Sequence, residues 1–529
     1  MYSRRSFGLV ASVLGVLLVI LLSREDDQYE GLAKSARDNV LAMAVPDYTK
    51  KDESRRWERP SAAPNILLIL ADDMGWRDVG YNKSEIRTPV IDRLASDGVT
   101  FNRFYVQPTC SPTRAALLTG KAPLRLGILD PMAKNNPQGL PLHEVTIADR
   151  LKDYGYTTAL AGKWHLGARN LAYHPNERGF DHFYGHLTGA VGYYNKVHGG
   201  GYDWQRNGRT VREDGYTTHL LAMEVQRLIR QRDHTKPFFI YASFGAPHLP
   251  NEAPDKSIAV YDELEDMRRR VHAAMVSELD RAIGSIEETL ITEGIVEDTL
   301  IWFMSDNGGL ITEGPLRFVP NALIKIALEA RYGVEPEPRF VEFVKENARD
   351  GASDNRPFRG GKGSVYEGGV RVPAFLSWPG TLGSHDFDHM ATVQDVAPTL
   401  VDLVGGTPPD AAFDGQSLVD SLLGNTAPTV IPYLVQTARL GEKTAVYRYP
   451  HKLIIEESKP LALYELASDP FETTNLLHQE PTVAADLERL VRDFPRGPNI
   501  SVSAQEAIQD PDYFGGVEDR APWADQAYR

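Results

Sequence analysis

One cysteine occurs in the chain, Cys110, in the run Thr109-Cys110-Ser111-Pro112-Thr113-Arg114-Ala115-Ala116-Leu117-Leu118-Thr119-Gly120. The run carries the marks of a helix start: Ser111 suits the cap, Pro112 the first helical position and Gly120 the C-terminal stop. Cys110 would then stand at the positive end of a helix, where outward-pointing backbone N–H groups attract anions. Arg114 would fall in the first turn, where a cation opposes the helix dipole. That arrangement makes sense if an anion sits between the guanidinium and the helix end. A lone cysteine more commonly packs as a small hydrophobe, so its surroundings decide between packing and chemistry.

Those surroundings are set by four apolar runs that each end in polar residues: Asp72 and Asp73 after Asn65–Leu70, Lys163 and His165 after Thr157–Ala161, His248 after Pro237–Tyr241, and Asp306 and Asn307 after Leu300–Met304. An Asp pair alone is more often a turn, and a lone His or Lys in a loop is usually solvated. Four such endings together fit the crevice beyond the carboxyl ends of an open α/β sheet. Asp72, Asp73, Asp306 and Asn307 offer only oxygen, which suits calcium or magnesium and argues against zinc. The segment Arg359-Gly360-Gly361-Lys362-Gly363-Ser364 reads either as an exposed glycine loop with incidental charge or as one that brings cations and backbone close to an anion.

The elements that must hold these residues follow a βαβ rhythm, which implies a largely parallel sheet with helices on both faces. Expected helices are Thr88–Gly98, Thr146–Tyr154, Thr218–Arg232 and Asp262–Thr292, with a strand over Val99–Val106 leading into the cysteine stretch and a further helix after Pro398. From about Ile431 short strands appear, Lys443–Tyr447 and Lys452–Glu456, followed by a helix near Ala484–Asp493. The division read from these changes is a targeting segment over 1–24, a linker over 25–60, a catalytic domain over 61–430 with an insertion at 310–356, and a C-terminal subdomain and tail over 431–529. Amphipathic stretches at Asn321–Arg331 and Arg339–Ala348 suggest that the insertion walls the crevice, since long connections inside domains are often functional.

A chain of 529 residues with 42% hydrophobic and 24% charged content is an ordinary large globular protein. Its net charge of −15 argues against nucleic acid as a partner and confines any anionic substrate to a local basic pocket. One cysteine excludes an intrachain disulfide and a thiolate metal cluster. At the N-terminus, Arg4 and Arg5 precede an apolar run, Phe7–Leu22. This fits a secretion signal or an uncleaved membrane anchor, and either puts the remainder outside the cytoplasm, whether periplasmic, secreted, lysosomal or anchored.

The cysteine stretch with its Ala-Ala-Leu-Leu-Thr-Gly continuation resembles the sulfatase signature, in which a maturation enzyme oxidises the cysteine to formylglycine. Gly162-Lys163-Trp164-His165-Leu166-Gly167, Ala246-Pro247-His248, Arg359–Ser364 with Glu367-Gly368-Gly369-Val370-Arg371-Val372-Pro373, and Leu463–Leu466 with Asp469-Pro470, Glu472 and Asn475-Leu476 resemble later segments of that family. Phe104–Pro108 looks most like its arylsulfatase B branch. The resemblance implies an alkaline-phosphatase-like α/β fold with a smaller C-terminal α+β subdomain. It also implies a calcium-dependent hydrolysis of a sulfate ester, on a sulfated carbohydrate (N-acetylgalactosamine 4-sulfate among them) or an aryl sulfate.

In that reading the hydrated aldehyde at Cys110 joins Asp72, Asp73, Asp306 and Asn307 around the ion, and one hydroxyl attacks sulfur to give a sulfated intermediate. His248, assisted by Lys362, protonates the departing alcohol, and His165 takes the proton of the second hydroxyl as sulfate leaves. Arg114 and Lys163 hold the hydrate and balance charge. Two other readings compete. A phosphatase, phosphodiesterase or phosphonate hydrolase of the same fold normally uses Thr or Ser, so Cys110 argues against it. A non-catalytic binder of sulfated glycan would suit a cysteine never converted.

Overall fold

In the computed structural model the first apolar run forms β1 (Asn65–Ala71), and every residue after Asn65 in it is buried. The structure describes residues 63–500 except 135, 199–200, most of 313–348, 407–411, 425–426 and 438–442. The expected targeting segment and linker, the insertion stretch Arg339–Ala348 and most of the stretch Asn321–Arg331 therefore lie outside the described residues. Among the described residues no helix is long and apolar enough to cross a membrane.

In chain order the large sheet and its covering helices comprise α1 (Pro89–Asp97), β2 (Val99–Phe101), α2 (Cys110–Thr119), α3 (Ile147–Asp153), β3 (Thr157–Lys163), β4 (His182–His186), α4 (Thr217–Arg230), β5 (Phe238–Ser243), α5 (Met267–Thr292), β6 (Thr299–Ser305), α6 (Glu367–Val370), β7 (Ala374–Ser377), β8 (His385–Phe387) and α7 (Val396–Leu403). The strand order is β8–β2–β7–β6–β1–β5–β3–β4, extended by the short strands Gln205–Arg206 and Arg209–Thr210. From β6 through β1, β5 and β3 to β4 every pairing is parallel. β7 runs antiparallel to both β6 and β2, so one side of the sheet is mixed.

Alternate residues of the central strands feed two cores, as two covered faces require. Ile66, Leu68 and Leu70 pack with Ala115–Leu118 of α2 and Ile147 and Leu151 of α3. Leu67 and Ile69 pack with Ile91 of α1, Leu221 of α4 and Leu279 of α5. The doubly wound class read from the sequence is the one observed.

Several boundaries differ from expectation for local reasons. Asp266 accepts a hydrogen bond from the Arg268 N–H and caps α5, so that helix starts at Met267 rather than at Asp262. The strand expected over Val99–Val106 is broken into Val99–Phe101 and Phe104–Tyr105, the second pairing with Ala391–Thr392 in a separate ribbon. Pro398 lies inside α7, in the first turn, where its missing N–H costs nothing.

The C-terminal sheet is a four-stranded antiparallel meander, β9 (Tyr433–Thr437), β10 (Lys443–Arg448), β11 (His451–Glu456) and β12 (Lys459–Glu465), followed by α8 (Pro481–Asp493). Period-2 patterning splits its side chains. Leu434, Val446, Leu453 and Leu463 meet Leu487 and Val491 of α8. Tyr433, Ala445, Tyr447 and Ile454 turn the other way, onto Tyr105, Val365 and Val370 of the large domain.

Candidate active site

The four polar strand endings belong to four adjacent strands, β6, β1, β5 and β3, so their carboxyl ends form one continuous row. α2 arrives over this row with Cys110 as its first residue and Thr109, in extended conformation, before it. The helix thus begins two residues earlier than the Ser111 cap implied. Ser111 Oγ does not cap at all: it donates to the His165 carbonyl and accepts from the Met132 N–H, both at 2.9 Å.

All ten of the residues expected at the site are found here. Cys110 Sγ lies 3.7 Å from Asp72 Oδ1, and Lys163 Nζ donates to Asp72 Oδ2 at 2.6 Å. Arg114, fully buried, points its guanidinium along the strand ends. Nε and Nη2 donate to Asp306 Oδ2 at 3.1 and 2.8 Å, and Nη1 donates to Ser243 Oγ at 2.6 Å and the Lys163 carbonyl at 3.1 Å. Lys362 Nζ donates to Asp73 Oδ2 at 2.8 Å, and Asn307 Nδ2 donates to Asp73 Oδ1 at 2.7 Å. His248 Nε2 stands 3.6 Å from Asp73 Oδ2. One donor atom each from Asp72, Asp73, Cys110 and His248 lies within 4.8 Å of the others. Asp306 joins them through the Asp73 N–H, which donates to Asp306 Oδ1 at 3.2 Å.

The histidine tautomers follow from their partners, because a carbonyl can only accept. His165 Nε2 faces the Met132 carbonyl at 3.0 Å, so Nδ1 holds the lone pair, and it is buried without a protein partner. His248 Nδ1 faces the Leu249 carbonyl at 2.7 Å, which leaves Nε2 toward Asp73.

Burial and charge pull the groups apart. Burial pushes the Cys110 thiol up to about 12 against the pull of Lys163 and Lys362. Burial also raises Asp306, to about 6, helped by the Asp72 carboxylate beside it. For Asp73 burial acts upward, but Lys362 and His248 outweigh it and hold the carboxyl well below its usual range. Burial and then Lys362 bring His248 down to about 3.

The Sulfatase family model matches residues 64–406 of this chain. The chain belongs to the sulfatase family. It is a sulfuric ester hydrolase. Among its relatives, arylsulfatase J of Mus musculus is 33% identical over 88% of this chain and 82% of its own length. N-acetylgalactosamine-6-sulfatase of Homo sapiens is 33% identical over 68% of this chain and 66% of its own length. Among solved structures, Ps i-CgsB in complex with a neocarrahexaose superposes with a TM-score of 0.73 at 29% identity, covering 84% of this sulfatase and 96% of that chain. PsFucS1 sulfatase from Pseudoalteromonas sp. gives 0.62 at 25% identity, covering 88% and 93%.

Some residues that shape this sulfatase site were not signalled by the sequence. Ser243, the last residue of β5, bridges Arg114 and the Lys163 carbonyl. Tyr193 donates from its hydroxyl to the Gly245 and His248 carbonyls at 2.8 and 2.9 Å and so holds the His248 turn from outside. Asn355 clasps Gly309 through both its N–H and its carbonyl, each at 2.8 Å. A buried strand serine could have been read as a bridge, whereas the other two act across sequence separations of about fifty residues that carry no local mark.

Proposed function

We propose that this enzyme removes sulfate from a sulfated carbohydrate outside the cytoplasm, using Cys110 converted to formylglycine and a hard divalent cation, calcium foremost and magnesium as the alternative. The observation that carries the reading is the meeting of Cys110, three carboxylates, three cations and two histidines at the ends of four adjacent strands.

The donor set fits a hard cation. Asn307 Oδ1 is a buried oxygen without a hydrogen-bond partner, and Asp72, Asp73 and Asp306 crowd beside it with oxygen alone to offer. Asp72, Asp73, Asp306 and Asn307 would hold the ion, with position 110 beside them. Such a cation, when bound, lowers the cost of ionising a neighbouring hydroxyl, and formylglycine supplies a hydrated aldehyde with two of them.

The chain's own residues do the rest. Asp72, Asp73 and Asp306 offset Arg114, Lys163 and Lys362 charge for charge, so a divalent ion leaves two positive charges to meet a sulfate ester and a developing oxyanion. Lys163 and Arg114 keep their cations on Asp72 Oδ2, the oxygen next to the one that faces Cys110. His165 offers the Nδ1 lone pair as a base. Lys362 and His248 flank Asp73 together; the Lys362 ammonium is the standing donor toward the departing alcohol, and His248 would donate from Nε2 only after that nitrogen takes up a proton. The apolar Phe7–Leu22 run after Arg4 and Arg5 supports export. Relatives named for the 6-sulfate of N-acetylgalactosamine and the resemblance to arylsulfatase B make its 6- and 4-sulfates the first pair to compare.

Co-expression with a formylglycine-generating enzyme, followed by peptide mass analysis and assay on a small aryl sulfate, tests the reading. The peptide bearing Cys110 should appear as the aldehyde, and Cys110→Ala should be inactive. Activity from a preparation whose Cys110 is wholly thiol would sink it.

A further inference from the structure

A second cluster of buried charge lies where the C-terminal sheet meets the large domain. Glu367, Lys452 and Glu472 are at most 3% exposed. Lys452 Nζ on β11 stands 3.1 Å from Glu367 Oε1 and 2.6 Å from Glu472 Oε1. Glu472 Oε2 accepts the Glu367 N–H at 2.8 Å, closing the triangle at the first residue of α6. Glu367 also accepts the Tyr105 hydroxyl at 2.8 Å and that of Tyr447 at 3.2 Å. Glu472 reaches this place with φ of +58°, in the left-handed region that a glutamate rarely occupies.

α6 touches the active-site loops backbone to backbone. The Gly368 N–H donates to the Arg359 carbonyl at 2.7 Å, and the Gly308 N–H donates to the Gly369 carbonyl at 2.9 Å. A Cβ on Gly369 would come within 2.1 Å of the Ser364 carbonyl, so nothing cushions the contact. In the same loop the Lys362 N–H donates to the Gly309 carbonyl at 3.1 Å and the Gly363 N–H to the Pro108 carbonyl at 2.7 Å. A shift of α6 is therefore handed on to Lys362 and to the approach to Cys110.

Stability alone is a weak reason for such a cluster, because an apolar replacement of similar volume is often no worse than a buried ion group. What ionic hydrogen bonds add is a set distance and direction. We propose that Glu367, Lys452 and Glu472 are positioning residues through which the C-terminal sheet sets the place of the Lys362 ammonium beside Asp73. This rests on the reading of Lys362 as part of the catalytic machinery.

The test uses full-length matured enzyme, a small aryl sulfate, and temperatures at which every variant is folded by circular dichroism. Lys452→Met should lower kcat roughly ten- to a hundredfold, in keeping with a misplacement of under an ångström, and change KM less than about threefold. Leu487→Ala, in the core between α8 and the meander, should cost as much in Tm and leave kcat within about twofold. In a Lys362→Ala background Lys452→Met should cost less than about threefold more, since the two act through one group. Should Lys452→Met not fold, Lys452→Met/Glu472→Gln removes the cation with one carboxylate and is read the same way. Normal kcat in these variants beside a crippled Lys362→Ala overturns the triad alone, as do losses that simply multiply. A Lys362→Ala enzyme at the wild-type rate overturns the reading of Lys362 and the inference with it.

Discussion

Arg114→Lys keeps the charge at the heart of the site and removes the fork that carries it. The guanidinium spends Nε and Nη2 on Asp306 Oδ2 and Nη1 on Ser243 Oγ and the Lys163 carbonyl. An ammonium is a single point on a flexible stem and can keep one of these partners, Asp306. The two Nη1 bonds, to Ser243 and the Lys163 carbonyl, are then lost, each worth about 1.5–3 kcal/mol, while the pair of bonds to Asp306 Oδ2 becomes one. The low end applies, because the Lys163 carbonyl still accepts from Ser243 Oγ at 2.8 Å and is not stranded. We therefore expect a loss of about 3 kcal/mol in urea unfolding of the chelated protein. We also expect kcat/KM on a small aryl sulfate to fall roughly a hundredfold, the usual cost of one preorganised donor. Arg114→Met should be worse, about 3–5 kcal/mol, since it leaves Asp306 buried and unpaired. If Arg114→Lys unfolded within about 0.5 kcal/mol of the wild type and retained kcat/KM within about threefold, the fork would not be what orders this site.

Asp306→Ala should lose bound metal and turnover together, measured by metal analysis after desalting and by rate; stoichiometric zinc in the wild type, or activity untouched by chelation, would exclude the hard-cation site. Cys110→Ser should fold like the wild type and be inactive under conditions that mature the parent, because serine lacks the second hydroxyl of the hydrate. Glu224 links α4 to the sheet edge through His182 and Arg206, and Arg227 of the same helix also donates to it. Burial pushes its carboxyl up, but His182 and Arg227 bring it to about 2, against an ordinary 4.5. Its folded pKa is thus lowered, so its contribution is full above about pH 4.5 and is lost as pH falls toward 2. Glu224→Gln should lower Tm at neutral pH and flatten the fall of Tm with acid in that window; an unchanged acid slope would mean the cluster is too solvated to matter.

The chemistry was legible in the sequence because it is carried by residue types at marked places. Oxygen-only side chains after apolar runs, a cysteine before a Ser-Pro-Thr-Arg helix start, and lysine among glycines are local signals. The period of the apolar residues likewise decided the doubly wound class and the short-stranded C-terminal sheet. Strand order was not legible. Parallel strands offer one another the same backbone groups whatever their order, and only the packing of α1, α4 and α5 on one face and α2 and α3 on the other sets β6, β1, β5 and β3 side by side. The antiparallel β7 was hidden for the same reason. Which atoms then meet is a matter of reach across that order: Arg114 spans to Asp306, 192 positions away, and Tyr193 holds a turn 55 positions on. Lys452 and Glu472 become partners of Glu367 only when the meander docks on Tyr105 and Val370, because a buried charge chooses its partner from whatever folding brings beside it.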